Sequence, residues 1–134
     1  MGKKKLQRLT LDNIIAKKLE REKNEIKFKD IEVPSLGGTI LFNKPNDDSV
    51  LETFEKIKDH EDDLRLLDEA YTDLIYSSCP TFKEIFNNKS LEDITVPTDV
   101  VKSILILSDR LQIGNELIDM TNLGKSNAGE EIKK

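Results

Sequence analysis

The chain has 134 residues, 37% hydrophobic and 35% charged, with one Cys, no Trp and a net charge of −5. That length suits one domain with one modest core and is short for two. The longest apolar run, Ile104 to Leu107, falls far short of the ~20 residues a membrane span needs, and the lone Cys79 leaves no internal disulfide.

The Met1-Gly2 start lacks the apolar stretch of a secretory signal. Leu6 stands where a myristoylation signal needs Ser or Thr. The expected location is therefore a cytoplasm, with no membrane partner.

Charge is uneven along the chain. Residues 1–29 carry ten Lys/Arg against four Asp/Glu, a balance of +6, and the remainder carries −11. A basic arm on an acidic body is compatible with nucleic-acid contact, with self-association of arm and body, with ordering on an acidic partner, or with a solvated tail.

Residues 1–10 have no turn chemistry and little to bury, so a disordered basic tail is expected there. Thr10 is placed to cap a helix over 11–25, with Asp12 near its positive end. Leu11, Ile14, Ile15 and Leu19 form a narrow apolar stripe on it, leaving Lys17, Lys18, Glu20 and Arg21 to water. A helix of about 13 residues with so little apolar face is marginal alone in water. These four residues are the candidate partner-binding site.

A globular domain is expected over 26–120. Two apolar runs flank Pro34, Gly37 and Gly38, which predicts a β-hairpin at about 27–33 and 39–43. Ile26 and Phe28 alternate out of phase with Ile31 and Val33, and since a one-residue slip flips a strand's faces, a bulge near Lys29-Asp30 is expected. Ser49-Val50-Leu51-Glu52 reads as a capping box, and Val50, Leu51, Phe54 and Ile57 as one buried helical face. After the acidic link 59–63, the spacing of Leu64, Leu67, Tyr71, Leu74 and Ile75 predicts a second helix packed antiparallel on the first and closed by Pro80.

Thr81 to Asn87 predicts one or two turns with Phe82, Ile85 and Phe86 inward, and Ser90 to Ile94 another short helical piece. A last helix over about 98–120, capped by Thr98, is apolar around most of its circumference and is expected to be central. Gly114 inside it predicts a kink or a close crossing, because Gly costs about 1 kcal/mol relative to Ala there. Residues 121–134 read as a polar tail. The fold class is thus α+β and mostly helical, with one hairpin packed against about four helices.

The hairpin Val33-Pro34-Ser35-Leu36-Gly37-Gly38-Thr39-Ile40-Leu41-Phe42 followed by Lys44-Pro45 resembles that of the XkdN-like tail assembly chaperones of contractile-tailed phages, prophages and phage-tail-like bacteriocins. The resemblance extends in order and pattern over roughly 11–120. It takes in the basic helix Leu11–Lys23, the Tyr76-Ser77-Ser78-Cys79-Pro80 stop and the late apolar helix Val100–Ile118. It implies a non-catalytic protein of a bacterial host cytoplasm that binds the tape measure protein, helps tail tube protein polymerise around it, and is absent from the finished tail.

Residue chemistry offers no competing enzyme. Asp59-His60-Glu61-Asp62-Asp63 lacks the glycine and ligand spacing of a calcium loop, and Leu64 stands where a zinc-protease helix needs its second histidine. The plainer expectation is a solvated link whose Asp62 or Asp63 caps the next helix. Cys79 lies far from His60 in sequence and reads as a buried structural thiol. Gly37-Gly38 and Gly124-Lys125-Ser126 both lack the context of a phosphate loop. No catalytic residue, cofactor or metal is expected.

Two other functions compete with assembly. One is a small nucleic-acid-binding or regulatory protein using the basic arm; the net negative charge and the absence of aromatics among the first 27 residues weigh against it. The other is a structural subunit that stays in the tail particle.

Overall fold

The computed structural model describes residues 8–121. The expectations for residues 1–7, for 122–134 and for Gly124-Lys125-Ser126 lie outside the described residues.

Helix α1 spans Leu11–Lys23 and is capped as its sequence predicts. The Thr10 hydroxyl accepts from the Asn13 amide at 3.2 Å, and Asn13 Oδ1 accepts from the Thr10 amide at 3.3 Å. None of its residues is buried.

The hairpin pairs β1 (Phe28–Val33) with β2 (Gly38–Asn43), antiparallel, with Ile31 opposite Ile40. A single 3-10 turn at Pro34–Leu36 joins them, and Gly37 closes it at φ +71°, where a Cβ would be strained. The register is unbroken from Phe28–Asn43 to Val33–Gly38, so the expected bulge is absent. The phase conflict resolves differently. Ile31, Val33 and Phe42 face the core, while Phe28 lies on the opposite face and is 59% exposed.

Helix α2 spans Asp47–Ile57 and starts earlier than the Ser49 box predicts. Asn46 is the cap, its Oδ1 accepting from the Ser49 amide at 2.8 Å. Its buried residues are Val50, Thr53 and Ile57; Leu51 and Phe54, expected inside, face water. The 3.6-residue period explains this, since 50, 53 and 57 share one face and 51 and 54 stand a step round from it.

Helix α3 (Leu64–Ser78) is capped by Asp63, whose Oδ1 accepts from the amides of Arg65 and Leu66. It packs antiparallel on α2, with Lys56 paired to Asp73. Leu64 is exposed, whereas Tyr71, Leu74 and Ile75 are buried. Cys79 ends α3, and Pro80 opens α4 (Pro80–Asn87) at its first position, where the missing N–H costs nothing. Phe82 of α4 meets Phe42 of β2 edge-on, with ring centroids 6.3 Å apart. Residues 90–94 form a turn, and the expected helical piece there is not formed.

The expected single helix over 98–120 is two helices, α5 (Pro97–Ile104) and α6 (Leu107–Met120). Val96 occupies the N-cap position of α5 without a side-chain cap and Pro97 is the first residue, so Thr98 lies inside the helix and is not the cap. Leu105 and Ile106 are extended between the two helices. The break is held by polar contacts: Arg110 Nη1 donates to the Leu105 carbonyl at 2.8 Å, and the Ile106 amide donates to Asp109 Oδ2 at 3.3 Å. Ser35 in the hairpin turn also donates to Asp109, tying turn to helix.

The centre belongs to α3 and not to the last helix. It packs against α2, α4, α5 and α6, while β1 rests on α6 and β2 on α4. The most deeply buried large side chains of the core between them are Ile31, Val33, Phe42, Leu74, Ile75, Phe82, Val100, Val101, Leu105, Ile113 and Leu117. The molecule is mostly helical α+β with one antiparallel hairpin, as the sequence predicts.

Candidate interaction surface

Every residue of the candidate site lies on α1, and all four side chains are exposed to between 49% and 73%. Positions 11, 14, 15 and 19 recur at three- and four-residue steps and so share one side of the helix. Lys18 and Glu22, paired at 2.9 Å, lie between them toward the C-terminal end. The stripe is therefore apolar in its first two turns and charged in its last.

Four residues, 24–27, join α1 to the hairpin. Lys44 fixes the joint twice: its Nζ meets Glu25 Oε2 at 2.6 Å, and its amide donates to the Lys27 carbonyl at 2.8 Å. The hydrogen bond from Lys44 holds the Glu25 carboxyl below its ordinary range. Asp47 and Glu25 line the same shallow hollow, so the link after α1 borders the first turn of α2.

Sequence reading missed two further exposed apolar places. One is the outer face of the hairpin, where Phe28 and Leu41 face water with Ile26 just before them. The phase conflict between Ile26-Phe28 and Ile31-Val33 was itself the signal, because it marks two faces of one strand. The other is the outward side of α2, with Leu51 at 62% exposure and Phe54 beside it, flanked by exposed Asp47, Asp48 and Glu55. Of the fifteen large apolar residues exposed among those described, nine precede residue 42. The exposed apolar surface is thus concentrated on α1 and the hairpin.

The groups considered for catalysis are dispersed. His60 is exposed in the α2–α3 link, while Cys79 is buried and its thiol is pushed up by burial. Its Sγ sits 3.8 Å from the Leu41 carbonyl, anchoring the helix junction to β2. Asp59, Glu61, Asp62 and Asp63 do not converge, and no group of three or more His, Cys, Asp or Glu is placed to hold a metal among the described residues. A groove of about 260 Å³ between α2 and α3 is lined by Ser49, Glu52, Thr53 and Ser77, with Lys56 already engaged by Asp73. Among the described residues no helix is long and apolar enough to cross a membrane. Comparison with protein-family models, curated proteins and solved structures finds no match to this chain.

Proposed function

We propose that this chain is a non-catalytic tail assembly chaperone of a phage, prophage or phage-tail-like bacteriocin, working in the bacterial cytoplasm. It holds a helical segment of the tape measure protein against α1 and assists polymerisation of the tail tube protein around it. One observation carries the reading: α1 presents Leu11, Ile14, Ile15 and Leu19 to water and buries nothing against its own body. An isolated helix of 13 residues is marginal in water, so a partner that covers the stripe also stabilises the helix. Helical clients suit it, because an amphipathic helix reads a partner's apolar face through anchors at i, i+3 and i+4. The resemblance of the Val33–Phe42 hairpin and of the surrounding element order to the XkdN-like chaperones supplies the client's identity.

The experiment is co-expression with the tape measure protein encoded in the same gene cluster, comparing the wild type with Ile14→Asp/Leu19→Asp. The wild type is expected to keep the client soluble and co-purify with it, and the variant to do neither while remaining folded. A client equally insoluble with and without the wild-type chain refutes the proposal. Mass spectrometry of finished particles separates the chaperone from a structural subunit, which would be retained there.

A further inference from the structure

The outward face of α2 carries the complement of α1. Asp47, Leu51 and Phe54 lie at i, i+4 and i+7, with Asp48 beside them, all exposed. Among the described residues neither aspartate has an ion-pair partner. On α1, Ile14, Lys17 and Arg21 lie at i, i+3 and i+7, likewise exposed, and neither cation is paired among those residues.

The two charge gradients run in opposite senses. On α1 the apolar end comes first and the cations follow; on α2 the carboxylates come first and the apolar pair follows. Laid antiparallel, Ile14 meets Phe54 while Arg21 meets Asp47. Both pairs are separated by seven residues, about 10.5 Å at 1.5 Å per residue, so one docking satisfies both ends. A parallel arrangement would set Arg21 against Phe54 and leave the aspartates facing Ile14.

We propose that α1 of one copy lies antiparallel in the Asp47–Phe54 face of a second copy, and that the exchange is reciprocal, giving a two-fold dimer. Reciprocity follows from size and symmetry. A pairing of helices of 13 and 11 residues is a small contact, whereas a specific interface needs roughly 1,000 Å² in total. A two-fold operator supplies the same contact twice. The second copy, and not the helix's own body, is the occupant because α1 buries no residue on its own chain, and Lys44 ties the joint through both Glu25 and the Lys27 carbonyl. The dimer needs no client. It covers Ile14 and Phe54 while the protein waits, and a client helix competes for the same α1.

Sedimentation velocity of the purified full chain tests this without any client, so its outcome is separate from that of the co-expression experiment. A dimer is expected at low ionic strength and its dissociation at high ionic strength, since exposed charge pairs are screened. Lys17→Glu/Arg21→Glu, on a helix that buries nothing, is expected to give a folded monomer by circular dichroism. Adding Asp47→Lys/Asp48→Lys to that variant is expected to restore the dimer. Mixing Ile14→Cys protein with Phe54→Cys protein under oxidation is expected to give a cross-chain disulfide that neither variant forms alone. A wild type that stays monomeric at every concentration overturns the proposal. So does a dimer indifferent to the α1 charge reversal, or a mixture without the cross-chain disulfide.

Discussion

Gly114→Ala separates a helix-propensity argument from a packing argument, because the two predict opposite signs. Gly114 lies inside α6, and replacing a helical Gly with Ala ordinarily stabilises by about 1 kcal/mol. Here the added Cβ would fall 2.2 Å from Tyr71 Cδ2 and 2.3 Å from its Cγ. Carbon atoms in ordinary contact sit about 3.5–4.0 Å apart, so the ring must retreat by more than 1 Å. It cannot do so freely. Tyr71 is buried in the α3–α6 seam and its hydroxyl donates to Asn115 Oδ1 at 2.7 Å. Overpacking costs about 1–3 kcal/mol, and the strained hydrogen bond is worth about 1 kcal/mol more. Set against the propensity gain, the net expectation is a loss of about 1–3 kcal/mol. Urea denaturation followed by circular dichroism measures it, with Tyr71→Ala as the second background. In that background the clash is gone and Gly114→Ala should stabilise. A Gly114→Ala protein as stable as wild type, or a loss that persists in the Tyr71→Ala background, refutes the close crossing.

Arg110 grips Asp68 through Nε at 2.7 Å and Nη2 at 3.0 Å, with the two side chains 12% and 15% exposed, so Arg110→Ala should cost about 3–5 kcal/mol in urea denaturation by stranding the carboxylate. The hydrogen bond from Arg110 holds the Asp68 carboxyl below its ordinary 3.8 despite partial desolvation. A depressed folded value means that this stability is present above the unfolded value and lost as pH falls through the folded one. Wild type should therefore lose more stability than Asp68→Asn as pH drops below about 4, and parallel pH profiles would count against the pair. Asn46→Ala should lower stability by about 1 kcal/mol, whereas Ser49→Ala should not if Asn46 alone caps α2. Leu11→Ser/Leu19→Ser should leave the unfolding free energy of the monomer within about 0.5 kcal/mol, measured by urea denaturation at concentrations too low for association.

Legibility in this sequence followed whether a residue's signal was local. The hairpin was readable because Pro34 and the Gly37-Gly38 pair restrict the backbone themselves, and its observed bounds differ from the expected ones by a single residue at each strand start. Thr10 and Asp63 were readable as caps for the same reason. Ser49 masks Asn46 as the cap of α2 because two cap residues stand three apart, and only the geometry decides which amides are left free. The α5–α6 break gave no Gly or Pro to see. It depends on Arg110 and Asp109 capturing the backbone at Leu105 and Ile106, and these two are held in turn by distant partners, Arg110 by Asp68 of α3 and Asp109 by Ser35 of the hairpin turn.

The exposed apolar residues outside α1 are hidden in the sequence for a related reason: an apolar residue at a helical or strand period reads as core. Phe28, Leu51 and Phe54 satisfy such periods and still face water. A mostly helical body of this size closes its core with one face of each element, and α3 already contributes Tyr71, Leu74 and Ile75 to the middle. A second apolar face on α2 or β1 then has no room inside and is left outside. Exposed apolar groups are concentrated on α1, on the hairpin's outer side and on α2, and these are the faces on which the proposed contacts are drawn. α1 buries none of its residues and contributes none to the core, so the core closes without it, and the proposed contacts draw on a helix whose apolar side chains the fold leaves wholly unused.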